Sequence, residues 1–277
     1  MAEATAAAKP WSPHYTNPET VDVQGLEVAY RRKGAGPATV FLHGAGATRM
    51  WLPLYEMLSE KVDLIAPEHP GFGDTPSPDW LAGFDDLVLH YRAFLDTLGL
   101  ERVHLIGFSL GGWIAGDFAI FYPDRVKTLT LIAPAGLRVP EAPMTDFLRM
   151  PPEQIADILF NGRAGDYLDY LPDPHDLDAA IRGYGEAATF ARLAWNPRYD
   201  VKLEHRLPRV TTPALVIEPD DDRLVPNAHP RRWAELLPNA RLERVSGDEH
   251  PTGHGLVIQE PRKLADAILR FVEEAER

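Results

Sequence analysis

Between Thr39 and Ile132 short apolar runs alternate with longer helix-like segments, and that rhythm leaves few folds open to the chain. Thr39-Val40-Phe41-Leu42, Val62 to Ala66, Val103 to Phe108 and Val126 to Ile132 carry the apolar runs. Trp51 to Leu58, Phe84 to Leu98 ahead of Gly99, and Leu110 to Tyr122 ahead of Pro123 have the periodicity and stop signals of helices. Strands that are apolar almost throughout and are joined through helices predict an α/β, mostly parallel, doubly wound sheet covered on both faces. Leu26 to Arg32, after Gln24-Gly25, is expected as the second strand of a hairpin, and residues 1–18 as a loosely held arm.

The rhythm breaks after Pro134. Prolines at 140, 143, 151, 152, 172 and 174 interrupt a stretch whose regular pieces are helical, such as Glu153 to Phe160 and Asp176 to Leu193. Ala214 to Ile217 and Arg241 to Val245 then resume the strands, and Arg262 to Glu274 is an amphipathic helix. The expected organisation is one sheet domain over 19–136 and 209–277, with a helical cap inserted at 137–208. At 277 residues the chain can bury the core such a domain needs.

Composition narrows the chemistry. The 28 Lys and Arg against 41 Asp and Glu give a formal charge of −13, which repels nucleic acid and anionic membrane surfaces. With no cysteine there is no thiol nucleophile, disulfide or thiolate metal site. His250 and His254 are four apart, yet Pro251 and Gly253 oppose the helix that would make them a metal pair. The first residues lack an apolar core of signal-peptide length, and no run of about 18 apolar residues occurs. The expectation is a cytoplasmic protein without membrane or nucleic-acid partner that acts on a small molecule without cofactor or metal.

Gly107-Phe108-Ser109-Leu110-Gly111 lies where the Val103 strand turns into the Leu110 helix. Glycines two residues either side of a serine permit a sharp strand-to-helix turn that projects the hydroxyl into a cleft, so Ser109 is a candidate nucleophile. A serine hydroxyl needs a base to take its proton, and the base needs an acid on its other nitrogen. Two loops after strands offer them: Glu218-Pro219-Asp220-Asp221-Asp222-Arg223-Leu224-Val225-Pro226, and Ser246-Gly247-Asp248-Glu249-His250-Pro251-Thr252-Gly253-His254.

With these residues the chain resembles the α/β-hydrolase family, in the serine-nucleophile branch with a small helical cap, from about Val21 to Val272. Four signatures carry the resemblance: Leu42-His43-Gly44-Ala45-Gly46, Ala66-Pro67-Glu68-His69-Pro70-Gly71-Phe72-Gly73, the serine turn, and Asp-x-x-Val-Pro followed by Gly-His. It implies Asp222 as the acid, three residues before Val225-Pro226, with Asp220 or Asp221 as substitutes if the turn differs. Pro219 stands where the family commonly has glycine. Gly253-His254, with Pro261 seven residues on and Gln259 where a glutamate is usual, implies His254 as base, leaving His250 as an exposed loop residue. His43 is implied to brace its loop. His14, His69, His90, His104, His175, His205 and His229 have no catalytic or metal-binding spacing.

The family pattern also implies oxyanion donors from the backbone N–H groups of Leu110 and Ala45, with Gly44 and Gly46 letting the loop approach the substrate. Aromatic residues of the insertion are expected chiefly as its own core, with Phe147 and Trp195, together with Phe108, as candidates for the substrate pocket. The expected activity is hydrolysis of a small ester or lactone through an acyl-enzyme on Ser109. Carbon–carbon bond hydrolysis, perhydrolase or lyase chemistry uses the same residues, and a small-molecule sensor could share the scaffold.

Overall fold

A computed structural model describes residues 12–173 and 175–277. Its strands are β1 (Glu19–Val23), β2 (Leu26–Lys33), β3 (Ala38–Leu42), β4 (Asp63–Pro67), β5 (Val103–Phe108), β6 (Val126–Ile132), β7 (Ala214–Glu218) and β8 (Ala240–Arg244). Its helices are α1 (Pro53–Ser59), α2 (Phe84–Thr97), α3 (Leu110–Phe121), α4 (Pro152–Leu159), α5 (Leu177–Ala194), α6 (Leu203–Arg206), α7 (Ala228–Leu236), α8 (Leu256–Gln259) and α9 (Pro261–Glu276). Among the described residues all eight strands form one sheet, ordered β1-β2-β4-β3-β5-β6-β7-β8. The β1–β2 hairpin and the β2–β4 pair are antiparallel; every later pairing is parallel.

The apolar strand runs fill both faces of this sheet. One face packs Leu87 and Phe94 of α2, Ile114 and Phe118 of α3 and Trp233 of α7. The opposite face packs Leu54 and Leu58 of α1 against Leu264, Ile268 and Phe271 of α9. Burying area on two faces explains the largely apolar character of β3, β4, β5 and β7, and in β6 even Thr128 and Thr130 are buried. The C-terminal ends of β3, β4, β5, β6 and β7 point to one edge, where loops from several strands meet.

Between β6 and β7 the regular elements are helical: α4, α5 and α6, with short 3-10 turns. This insertion is clamped to the loops of that edge. Gly255 N–H donates to Leu159 O at 2.9 Å, and Asn161 Nδ2 donates to Asp221 O at 3.0 Å. On the other side Glu186 of α5 accepts from Thr48 Oγ1 and from Gly73 N–H, each at 2.8 Å.

Residues 1–11 of the expected arm lie outside the described residues. From Ser12 onward the chain is docked rather than loose: Ser12 Oγ donates to Asp169 O at 2.7 Å, Tyr15 bridges to Met50, and Arg31 Nη2 donates to Thr16 O at 2.8 Å. The composition of this segment hid that anchoring, because its partners come from β2, the loop after β3 and the insertion. Among the described residues no helix is long and apolar enough to cross a membrane.

Candidate active site

Ser109 closes β5 and opens α3 with φ 54° and ψ −111°, a left-handed conformation that is costly for a residue with a Cβ. Neighbours hold it there. Ser109 N–H donates to Ile132 O at 2.9 Å, and Ser109 O accepts from Ala135 N–H at 3.1 Å and Trp113 N–H at 3.2 Å. The flanking glycines are required by proximity: a Cβ on Gly107 would stand 2.2 Å from Gly111 O, and one on Gly111 would stand 2.1 Å from Leu42 O. The turn is sharp because backbone occupies the space that side chains would fill.

Three distant segments meet at this turn. His254 Nε2 lies 2.9 Å from Ser109 Oγ, and His254 Nδ1 lies 2.7 Å from Asp222 Oδ2. All three side chains are buried. The other carboxylate oxygen, Asp222 Oδ1, accepts Leu224 N–H at 2.9 Å and Val225 N–H at 2.7 Å, which leaves Oδ2 directed to the imidazole. A carboxylate on Nδ1 keeps the proton there and leaves Nε2 with a lone pair facing the hydroxyl.

The three consecutive carboxylates do different things. Asp220 accepts from Ser246 Oγ at 2.6 Å and from Gly247 N–H and Thr252 N–H at 3.0 Å, and so ties the β7 loop to the segment before His254. These donors hold its carboxyl below the ordinary range against the opposing effect of burial. Asp221 is exposed and pairs with Arg223 at 2.9 Å. Pro219 is accommodated because Asn227 spans the turn, donating from Nδ2 to Pro219 O at 2.7 Å and accepting Asp222 N–H at 3.1 Å. Gln259 accepts Gly253 N–H at 2.8 Å, and His250 is exposed.

The loop after β3 lies against the serine. A Cβ on Gly44 would stand 3.0 Å from the Phe108 ring and 3.4 Å from Ser109 Cβ, whereas one on Gly46 would meet nothing within 4 Å. Packing on the serine turn therefore requires glycine at Gly44, and Gly46 stands in open space. Leu110 is the first residue of α3, so its N–H has no intrahelical acceptor, and Ala45 N–H has none among the described residues. Phe108 stands beside the imidazole, its ring centroid 5.1 Å from that of His254.

His43 braces this loop with a partner that spacing did not reveal. His43 Nδ1–H donates to Gly44 O at 2.6 Å, His43 Nε2 accepts His69 N–H at 3.0 Å, and His69 Nε2–H donates to His43 O at 2.8 Å. Tyr91 Oη donates to His69 Nδ1. Burial pushes both imidazoles down, His43 to about 4, so they remain neutral and keep these tautomers. Beneath them the Arg31–Glu68 ion pair at 2.7 Å is almost fully enclosed, and Glu68 Oε1 also accepts Arg49 N–H at 2.9 Å. Glu68 and His69 both belong to the Ala66–Gly73 signature, which was the available signal for a structural role here.

The pocket candidates divide. Phe108 faces the site, and Phe147 packs on Phe190 at 5.0 Å between ring centroids. Trp195 is half exposed and lines two outer clefts, neither of which is lined by Ser109, Asp222 or His254. It caps the C-terminal end of α5. The expected aromatic core of the insertion is seen in Phe160 stacked on Tyr167 at 4.4 Å.

Residues 39–267 match the family model described as Alpha/beta hydrolase family. The chain belongs to the α/β-hydrolase family. Among α/β-hydrolases and their kin, it is 28% identical over 275 residues to a poly(3-hydroxyalkanoate) depolymerase of Ectopseudomonas oleovorans, covering 92% of this chain and 91% of the relative. It is 32% identical over 242 residues to a 2-hydroxy-6-oxononadienedioate/2-hydroxy-6-oxononatrienedioate hydrolase of Paraburkholderia phymatum, covering 78% of this chain and 82% of the relative. A meta-cleavage product hydrolase from Pseudomonas fluorescens superposes with a TM-score of 0.77 at 22% identity, over 94% of this chain and 98% of that one, and this likeness establishes the fold. As a member of a family of hydrolytic enzymes that act on small substrates, the protein is an α/β-hydrolase enzyme.

Proposed function

We propose that the protein hydrolyses a small, moderately apolar ester or lactone through an acyl-enzyme on Ser109. The observation that carries this reading is the continuous hydrogen-bonded row from Asp222 through His254 to Ser109, at 2.7 and 2.9 Å. In the proposed cycle His254 Nε2 takes the Ser109 proton as Oγ attacks the carbonyl carbon. The imidazolium is stabilised by Asp222, and then gives its proton to the departing alkoxide. Water, deprotonated by the same nitrogen, attacks the acyl-enzyme and releases the acid. Ala45 and Leu110 N–H groups serve as donors to the oxygen on which negative charge develops.

The insertion acts as a cap over this centre. Its contacts to the His254 loop through Leu159 and to the loop after β3 through Glu186 support that role. Phe108 and Phe147 would contribute apolar surface to the acyl or alcohol portion of the substrate. A location in the cytoplasm fits this reading.

Carbon–carbon hydrolysis is a second reading. It is favoured by the Paraburkholderia phymatum relative, whose named substrate is a dicarboxylate with a ketone and no ester linkage. A panel of short p-nitrophenyl esters, lactones and vinylogous diketones, assayed with wild type and Ser109→Ala in parallel, separates the two. Ester or lactone turnover that is abolished in Ser109→Ala is the expected result. Diketone cleavage without ester turnover selects the second reading, and labelling of Ser109 by a fluorophosphonate without turnover of any class selects a sensor.

A further inference from the structure

The insertion leaves β6 along residues 137–149 and returns along residues 195–199, and these two legs enclose a cleft of about 380 Å³ closed on one side by His229 of α7. The legs are tied together behind it, Asp200 N–H donating to Gly136 O at 2.9 Å. The catalytic serine, histidine and aspartate do not line this cleft.

Its charge runs against that of the molecule. Arg138, Arg149 and Arg198 line it with one carboxylate, Asp146, on a chain whose formal charge is −13. Asp146 is shared between Arg198 at 2.9 Å and Arg149 at 3.2 Å, so one negative charge faces two guanidiniums. Arg138 has no ion-pair partner among the described residues, and its guanidinium lies 5.6 Å from the Tyr199 ring centroid. Two positive charges in the wall are therefore uncompensated.

His229 completes the same wall. His229 is 1% exposed; its Nε2–H donates to Ala142 O at 2.8 Å, and Nδ1 is left buried without a partner. Beside these groups Met144, Val139 and Trp195 provide apolar surface.

We propose that this cleft is a second ligand site, which binds a small organic anion: a carboxylate or phosphate head between Arg138 and Arg198, on an apolar or aromatic body lying against Met144 and Trp195. Guanidiniums bind either oxyanion through paired N–H donors. Because the two arginines come from opposite legs, the ligand holds the insertion's exit and return segments together.

Isothermal titration of the full chain with benzoate, phenyl phosphate and inorganic phosphate tests this. Saturable binding of benzoate or phenyl phosphate is expected, weakened about tenfold or more in Arg138→Ala/Arg198→Ala and by less in Arg198→Lys, which keeps the charge but loses the paired donors. The stronger of the two organic probes names the head group, and inorganic phosphate should bind more weakly than either. An unchanged melting temperature shows that the double variant is folded. No saturable heat from any probe up to about 10 mM, or equal affinity in wild type and double variant, overturns the proposal. Equal affinity of inorganic phosphate and the organic probes overturns the part assigned to the apolar wall.

Discussion

Asp220, Asp221 and Asp222 are adjacent in sequence and chemically unalike in the fold, and the differences can be measured. Asp222→Asn keeps the shape but removes the charge that orients and stabilises His254, and is expected to lower kcat about 10²- to 10⁴-fold with little change in KM. Asp220→Asn weakens a clasp instead: it should cost about 1–3 kcal/mol in urea unfolding while kcat stays within about tenfold of wild type. Equal losses of kcat in the two variants would contradict the assignment of the acid. At this scale Ser109, Asp222 and His254 were legible because each sits in a short local motif at the end of a strand. The clasp was not, since Asp220 finds its partners 26 to 32 residues away. Nor was the His43–His69 brace, which depends on two strands being neighbours rather than on any spacing along the chain.

Among the elements, α5 bears on the site because Glu186 joins the insertion to the loops after β3 and β4. Burial pushes its carboxyl upward, and the Thr48 hydroxyl and Gly73 N–H partly offset that by stabilising the charged form. Glu186→Ala is expected to lower kcat/KM for p-nitrophenyl acetate about tenfold by freeing the Thr48 loop, with Glu186→Gln, which retains an acceptor, recovering most of it. Unchanged kinetics in Glu186→Ala would show that the loop is held by Glu68 and the histidine pair alone. The sheet strands were readable to within a residue or two, since two buried faces leave continuous apolar runs: the run Val103 to Phe108 is β5, and Val126 to Ile132 is β6. Helix α7 escaped the sequence reading. It contains Pro230 and two arginines, and its fully buried anchor is Trp233, which fills the space left by Gly116 of α3.

Across the whole molecule, burial has set the ionisation of groups outside the Asp222–His254–Ser109 row. His43, His69, His90, His104 and His229 are all pushed below the ordinary imidazole value of 6.5, His43 and His90 to about 4, chiefly by desolvation. Between pH 6.5 and about 4 the unfolded chain takes up protons at these positions that the folded chain refuses, so stability falls as pH falls through that window. Glu68, Asp117 and Glu186 are raised by burial, Asp117 to about 7, and act in the opposite sense as pH rises toward 7. The buried histidines predict a melting temperature lower at pH 4.5 than at pH 7, measurable by differential scanning calorimetry at constant ionic strength. A higher melting temperature at pH 4.5 would mean that the carboxylates dominate.

We propose that one hydroxyl in this fold, that of Ser109, is made a nucleophile through His254. Intact-protein mass spectrometry after treatment with a fluorophosphonate, followed by peptide mapping, tests it most directly. One phosphonyl group on Ser109 is the expected product, absent from Ser109→Ala and slowed by about three orders of magnitude or more in His254→Ala. No adduct on wild type, an adduct on another residue, or equal labelling rates in wild type and His254→Ala would contradict the account.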